Sequence, residues 1–235
     1  MGMFDGQDIE KDARAVLDTV ADGGVAIFPV SVGYAIVGHT EEAVARIYEA
    51  KQRSFGKPCG VFSDWQIFNE VIQVDERARE VVRTVIDEHD LPFSIVAPYD
   101  PGHPVVRSMA EFVLENASLA GTMDLLMNAG ALHDAVARGV RERGMAVVGS
   151  SANQSLTGSK FRLEHIEDRV RAAADLCIDY GLCTYRNDHG LGSTIVDLVS
   201  FETIRKGCVY DEIGGILMDR FDIDLKAIGM AEVRP

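Results

Sequence analysis

"KQRSFGKP", residues 51–58, places Lys51, Arg53 and Lys57 close together in a 235-residue chain whose formal net charge is -14. The stretch follows "TEEAVARIYEA", residues 40–50, which reads as a helix. Thr40 suits the N-cap, and Glu41 and Glu42 suit the positive end of the helix dipole. Ala43, Ile47 and Ala50 recur on one face. Two readings of the cations stand side by side. As a helix end, Lys51 and Arg53 complement the negative end of the dipole, and Gly56 and Pro58 stop the segment. As an anion clamp, cations on a tight loop converge on a phosphate or carboxylate more easily than cations on a regular helix.

Outward from this stretch, helix and strand signals alternate. Residues 8–24 carry Ile9, Ala13, Val16, Leu17 and Val20 on one helical face before a Gly pair. Short apolar runs predict strands at 25–30, 34–38, 59–63, 93–98, 118–123 and 145–151. Amphipathic stretches predict helices at 75–89, 130–143 and 164–175. "LCIDYG", "STIVDLV" and "ETIRKGCV" read as a terminal run of strands, and residues 211–235 stay unassigned. Trp65 and Phe68 read as core residues rather than a base-stacking platform. With no linker, low-complexity tract or repeat, residues 1–235 read as one α/β domain with an open, twisted, mixed sheet.

Composition narrows the function classes. The chain is 47% hydrophobic and 26% charged, as in an ordinary globular protein. Its acidity works against non-specific binding to nucleic acid or anionic membrane. No apolar run reaches a membrane span, and the acidic start has no signal-peptide core. Cys59, Cys177, Cys183 and Cys208 lack C-x-x-C spacing, so four reduced thiols in a cytoplasmic protein are expected. His39 and His133 have no partners at metal-ligand spacing, and no protein-held metal is expected.

Two more stretches carry chemistry. "GSSANQSLTGSK", residues 149–160, follows a strand end with small hydroxyl and amide side chains that let a ligand approach the backbone. It is not a Walker A loop, because "TGSK" lacks the G-K-[ST] order. It reads equally as an ordinary polar turn. "LGSTIVDL", residues 191–198, and "IRKGCV", residues 204–209, read on their own as two strands and a turn.

Together, the order and spacing of these blocks resemble the Sua5/YrdC/YciO family of threonylcarbamoyl-adenylate synthases over roughly residues 8–210. Lys51, Arg53, Lys57 and Pro58 match its K-x-R-x-x-x-K-P block. Ser150 to Asn153 match its S-A-N loop, Ser193 to Asp197 its S-T-[IV]-V-D, and Arg205 to Gly207 its R-x-G. "FPVSVGYAI", residues 28–36, is similar to its early strand and turn. The resemblance implies a YrdC-like sheet around a positively lined cavity, which would explain cations on an acidic protein. It implies ATP, an amino acid and bicarbonate as substrates, Mg2+ on the polyphosphate, and threonylcarbamoyl-AMP for tRNA modification as product. It implies catalytic roles for Lys51, Arg53 and Lys57, and nucleotide contacts from Ser151, Asn153, Ser193 and Arg205. Ser31, Tyr34 and Ser94 would face the substrate.

The departures fall on the amino-acid side. Val30 and Val32 stand where the family has Thr, Ser31 replaces its acid, and Ala35 and Ile36 follow Tyr34 in place of Gly and Leu. Ser94 replaces a Thr after Pro92, Leu156 stands where Gly is usual, and Thr122 replaces an Arg. A site that loses hydroxyls loses its discrimination for a hydroxylated substrate. The expectation is therefore a kept phosphate half and a rebuilt amino-acid half. The alternative is a non-synthase nucleotide or double-stranded RNA binder of the same fold, with RNA disfavoured by the net charge.

Overall fold

The computed structural model describes residues 8–229. Helix α1 (Ile9–Ala21) is capped by Asp8 and buries Ala13, Val16, Leu17 and Val20, the face expected from their spacing. Strands β1 (Ala26–Val30) and β2 (Gly33–Gly38) form a tight antiparallel hairpin. Helix α2 (Glu41–Lys51) starts at Thr40, whose hydroxyl accepts from the Ala43 amide, and stops at Gln52 in the left-handed region at φ 51°. Strand β3 (Gly60–Phe62), helix α3 (Trp65–Val71) and helix α4 (Glu76–Arg83) follow, and a π-helical turn, Thr84–Glu88, prolongs α4. Then come β4 (Phe93–Pro98), α5 (Pro104–Arg107), α6 (Glu111–Glu115), β5 (Ser118–Leu119), β6 (Thr122–Met127), α7 (Ala131–Arg143) and β7 (Val148–Ser151). The remainder holds α8 (Asp168–Arg171), β8 (Leu176–Cys177), β9 (Ile195–Asp197), β10 (Thr203–Arg205), α9 (Tyr210–Phe221) and α10 (Leu225–Ile228).

All ten strands join one open sheet in the order β10-β9-β4-β6-β3-β7-β2-β1-β8, with β5 paired to β6. Pairings are mixed: β1–β8, β3–β6 and β4–β9 are parallel and the rest antiparallel. The order puts β3, β7, β6 and β4 in the middle, so segments far apart in sequence meet there. The main core gathers Phe28, Phe62, Ile95, Leu125 and Val136, with Phe28 and Phe62 in edge contact at 5.6 Å. Each such side chain contributes roughly 1.5–3 kcal/mol of burial. Helices α1 and α7 approach closely: a Cβ on Gly139 would lie 2.3 Å from Leu17 Cδ1. Phe68 is fully buried, as expected, and Trp65 packs partly buried against the same core.

Three expected elements differ. The helix expected at 164–175 is a single 3-10 turn at Leu163–His165 followed by the one-turn α8. There the chain serves its neighbours: the Glu167 carboxylate accepts from Gln154 and Thr157, and Asp175 accepts from the Val25 amide at 2.8 Å. The strand expected at 118–123 breaks at Ala120 and Gly121, both with positive φ, and the long strand is β6 just beyond. The unassigned tail forms α9 and α10, and its residues 230–235 lie outside the described ones. All four cysteines are free thiols. No helix among the described residues is long and apolar enough to cross a membrane.

Candidate functional site

Lys51 closes the last turn of α2, 1% exposed. Its ammonium donates to the Ser151 carbonyl and, at 2.7 Å, to the Asn153 carbonyl. The Lys51 carbonyl accepts in return from the Ser155 amide at 2.9 Å. The helix end and the Ser150–Ser155 loop are thereby fastened together. Burial, then repulsion from Arg53, pulls the Lys51 ammonium down to about 7.

Arg53 lies in the turn beyond. Its guanidinium donates to the Lys57 carbonyl at 3.1 Å, the Pro58 carbonyl at 2.7 Å and the Ser150 hydroxyl at 3.4 Å. The Tyr48 hydroxyl donates to the same Lys57 carbonyl at 2.7 Å, and the exposed Phe55 stacks on the Tyr48 ring at 4.9 Å. Lys57 is exposed. Lys51 thus ends a helix, as the first reading of the stretch has it, and Lys51 and Arg53 spend hydrogen bonds on loop carbonyls.

A second group comes from β4, β9 and β10. Ser94 and Ser193, both buried, share a hydroxyl–hydroxyl bond of 2.8 Å. Arg205 lies on the edge strand and keeps solvent exposure, yet its guanidinium folds inward. It donates to the Ser193 carbonyl at 2.9 Å and to the Ser193 hydroxyl at 2.8 Å. Loops 156–160 and 187–192 meet beside Arg205: the Ser159 amide donates to the Gly190 carbonyl at 2.8 Å, and a Cβ on Gly192 would lie 3.5 Å from Arg205 Nη2. Gly158 and Gly190, both with positive φ, approach so closely that a Cβ on either would lie about 3 Å from the other's Cα.

Between the two groups stands a residue that the sequence reading passed over. Asp124, at the middle of β6, lies within electrostatic reach of both Arg53 and Arg205. Burial lifts its carboxyl to about 6, against the pull of those two cations. Arg205 and Arg53 also feel each other, so the two groups lie within electrostatic reach of one another. The signal for Asp124 was a lone acid inside an apolar strand, "TMDLLM". Thr122, where the resemblance placed a lost Arg, sits at the strand end and donates to the Leu119 carbonyl at 2.7 Å.

The predicted residues do not all meet. Lys51, Arg53, Ser151 and Asn153 form one set, and Ser94, Ser193 and Arg205 the other. The Tyr34 hydroxyl is committed to Asp179 at 2.6 Å and to the Gly181 carbonyl at 2.9 Å, within a smaller core cluster. Ser31 stands beside Gly130 at the start of α7, its amide donating to the Ala129 carbonyl at 2.6 Å. Val30 and Val32 are buried in the main core, so the hydroxyl of that turn is Ser31's, which is buried and unpartnered. Asn153 Oδ1 is likewise buried and unpartnered. The Ser31 hydroxyl can donate to a ligand oxygen, whereas Asn153 Oδ1 only accepts and calls for a ligand donor; the groups here able to hold anionic oxygens are the guanidiniums of Arg53 and Arg205. Such a set suits a polyphosphate, and Mg2+ bound mainly by phosphate oxygens requires few protein ligands.

An α/β sheet of this order carrying two cation–hydroxyl groups defines a class, and the comparisons name it. The family model for Sua5, YciO and YrdC, described as "Telomere recombination", matches residues 18–207. The chain belongs to that family. No curated protein matches it significantly. Among solved structures it is similar to a hypothetical protein of Streptococcus mutans UA159, at 20% identity and TM-score 0.75 over 89% of this chain and 92% of that one. It is similar to Sua5 of P. abyssi, solved in complex with L-threonine, at 19% identity and TM-score 0.66, covering 84% of this chain and 54% of that one. It is also similar to E. coli YciO, at 19% identity and TM-score 0.57, covering 84% and 90% of the two chains.

Proposed function

We propose that the protein is an ATP-dependent nucleotidyltransferase that adenylates an N-carboxylated amine, as a threonylcarbamoyl-AMP synthase does. The reaction joins a carbamate oxygen to the α-phosphorus of ATP and breaks the bond to the β-phosphate oxygen, releasing pyrophosphate. The observation that carries the reading is that Arg53 and Arg205, from segments far apart in the chain, lie within electrostatic reach of each other and of Asp124 in an acidic protein. Family membership and the likeness to a Sua5 solved with L-threonine support it.

In this reading no side chain serves as nucleophile. Arg53 and Arg205 hold oxygens that carry charge as the bond breaks, and their hydrogen bonds to carbonyls and Ser193 fix their direction beforehand. Lys51 adds positive charge from beneath the loop, and exposed Lys57 meets the departing pyrophosphate. Ser151 and Asn153 contact the nucleotide, while Ser94 and Ser193 position Arg205. Ser31 supplies the substrate-side hydroxyl. Mg2+, when bound with ATP, offsets polyphosphate charge. The rebuilt turn around Val30 and Val32 leaves the amine open, and threonine is one candidate.

The test is pyrophosphate release from ATP, Mg2+ and bicarbonate with each of the common amino acids in turn. Release that depends on one amine and on bicarbonate, and collapses in Arg205→Ala, supports the reading. ATP binding without release under any amine, or no ATP binding, rejects it.

A further inference from the structure

The Asp124 carboxylate makes no hydrogen bond with any described residue. Its Oδ1 is sealed from solvent without a partner, while the residue as a whole is half-buried. Solvent access therefore comes through Oδ2, which faces Gly60 at the start of β3. A Cβ at Gly60 would lie 3.5 Å from that oxygen, an ordinary contact, so the position marks how near Oδ2 comes to the β3 backbone. The charged groups around it are Arg53, from the turn after α2, and Arg205, from β10, with the Cys59 thiol also nearby. Neither guanidinium pairs with it; Arg53 is occupied by loop carbonyls and Arg205 by Ser193.

A half-buried carboxylate without a partner is costly. If Asp124 served only to neutralise the arginines, direct ion pairs would be the better arrangement. Instead one acceptor stands within electrostatic reach of two sets of donors. That pattern is complementary to a group carrying an N–H beside anionic or carbonyl oxygens. A free ammonium suits it less, because Arg53 and Arg205 repel a full positive charge, and a group without a donor leaves the carboxylate bare.

We infer that Asp124 is the specificity residue of this site, accepting the N–H of a carbamoyl or carbamate group whose oxygens the two arginines hold. This rests on the proposed function for the identity of the group. It adds a selection step: all-oxygen or methyl-bearing analogues fit in shape but leave Asp124 unpaired. The discrimination follows from the penalty for an unpaired charged acceptor, and roughly a tenfold preference or more is expected.

The experiment uses two stable isosteres, phosphonoacetamide and acetonylphosphonate, which differ by NH2 against CH3. Their affinities for the full chain are measured by calorimetry, with pyrophosphate as the reference anion. The wild type is expected to favour phosphonoacetamide at least tenfold, and Asp124→Ala to bind both equally while keeping pyrophosphate. Should the variant not fold, the wild type alone suffices: its preference should shrink as pH falls through about 6, where Asp124 takes up a proton. Equal binding of the two by wild type at pH 8, or a preference that survives in Asp124→Ala, overturns the inference. Pyrophosphate binding with neither isostere bound also overturns it while leaving the anion site intact. Failure of pyrophosphate as well defeats both this inference and the proposed function.

Discussion

Binding of a phosphate ligand beside Lys51 should draw a proton from solvent. The ammonium is buried and titrates at about 7, whereas exposed lysine titrates near 10.4. An anion beside Lys51 favours the charged form and moves the group back toward its ordinary value. At pH 8 the free protein then holds about 0.1 proton on Lys51 and the complex about 1, an uptake of about 0.9. At pH 7 the uptake is about 0.5. Affinity for the anion should fall about fivefold from pH 7 to 8 and about tenfold over the next unit. Calorimetry with Mg-ATP at pH 8 in two buffers of different ionisation enthalpy reads the uptake directly. Lys51→Arg keeps a permanent charge, so its uptake should drop close to zero. Uptake below about 0.2 in the wild type, or undiminished uptake in Lys51→Arg, would refute the reasoning. Stability carries the opposite sign. The penalty for charging Lys51 is full below about 7 and relaxes as pH rises toward the unfolded value. From pH 6 to 9 the wild type should therefore gain on the order of 2 kcal/mol relative to Lys51→Met, read by denaturant unfolding.

Three further outcomes are expected. Leu156 is 91% exposed at φ 70°, so Leu156→Gly should relieve left-handed strain and raise stability by about 0.5–1 kcal/mol in urea unfolding, with no gain counting against that account. Burial works to raise Glu167, but bonds from its own backbone, Lys160, Thr157 and the Gln154 amide hold it down to about 2. The stability it lends is present above the ordinary carboxylate range and is lost as pH falls through about 2, so Glu167→Gln should flatten the acid limb of the unfolding profile and loosen the 154–160 loop to proteolysis. Ser193→Ala strips a partner from both Ser94 and Arg205 and should cost about 1–3 kcal/mol in stability, together with a weaker grip on pyrophosphate; a change in neither would detach these residues from the site.

Much of the fold was legible because periodicity and caps agree with tertiary packing. The Thr40 cap and the buried face of α1 are local signals that the structure uses unchanged. Residues 164–175 misled because their helical pattern competes with bonds to distant loops, which decided the outcome. The strand at β6 was displaced because residues 118–121 look apolar while Ala120 and Gly121 turn the chain. The candidate site was legible as separate blocks, since Lys51, Arg53, Ser193 and Arg205 fall in compact motifs. Their meeting was not, because it depends on the sheet order that sets β9 and β10 beyond β4. Asp124 escaped notice for a similar reason: an acid in an apolar strand becomes informative only when its neighbours across β3 and β10 are known.

The central claim is that nucleotide phosphates lie between the Lys51–Asn153 loop and the Ser193–Arg205 pair. A crystal structure of the protein with Mg2+ and a non-hydrolysable ATP analogue tests it most directly. The account predicts phosphate oxygens within hydrogen-bond distance of both Arg53 and Arg205. Density instead in the acidic cleft of about 440 Å3 lined by His89, Asp211 and Glu212, or nucleotide touching neither arginine, would contradict it.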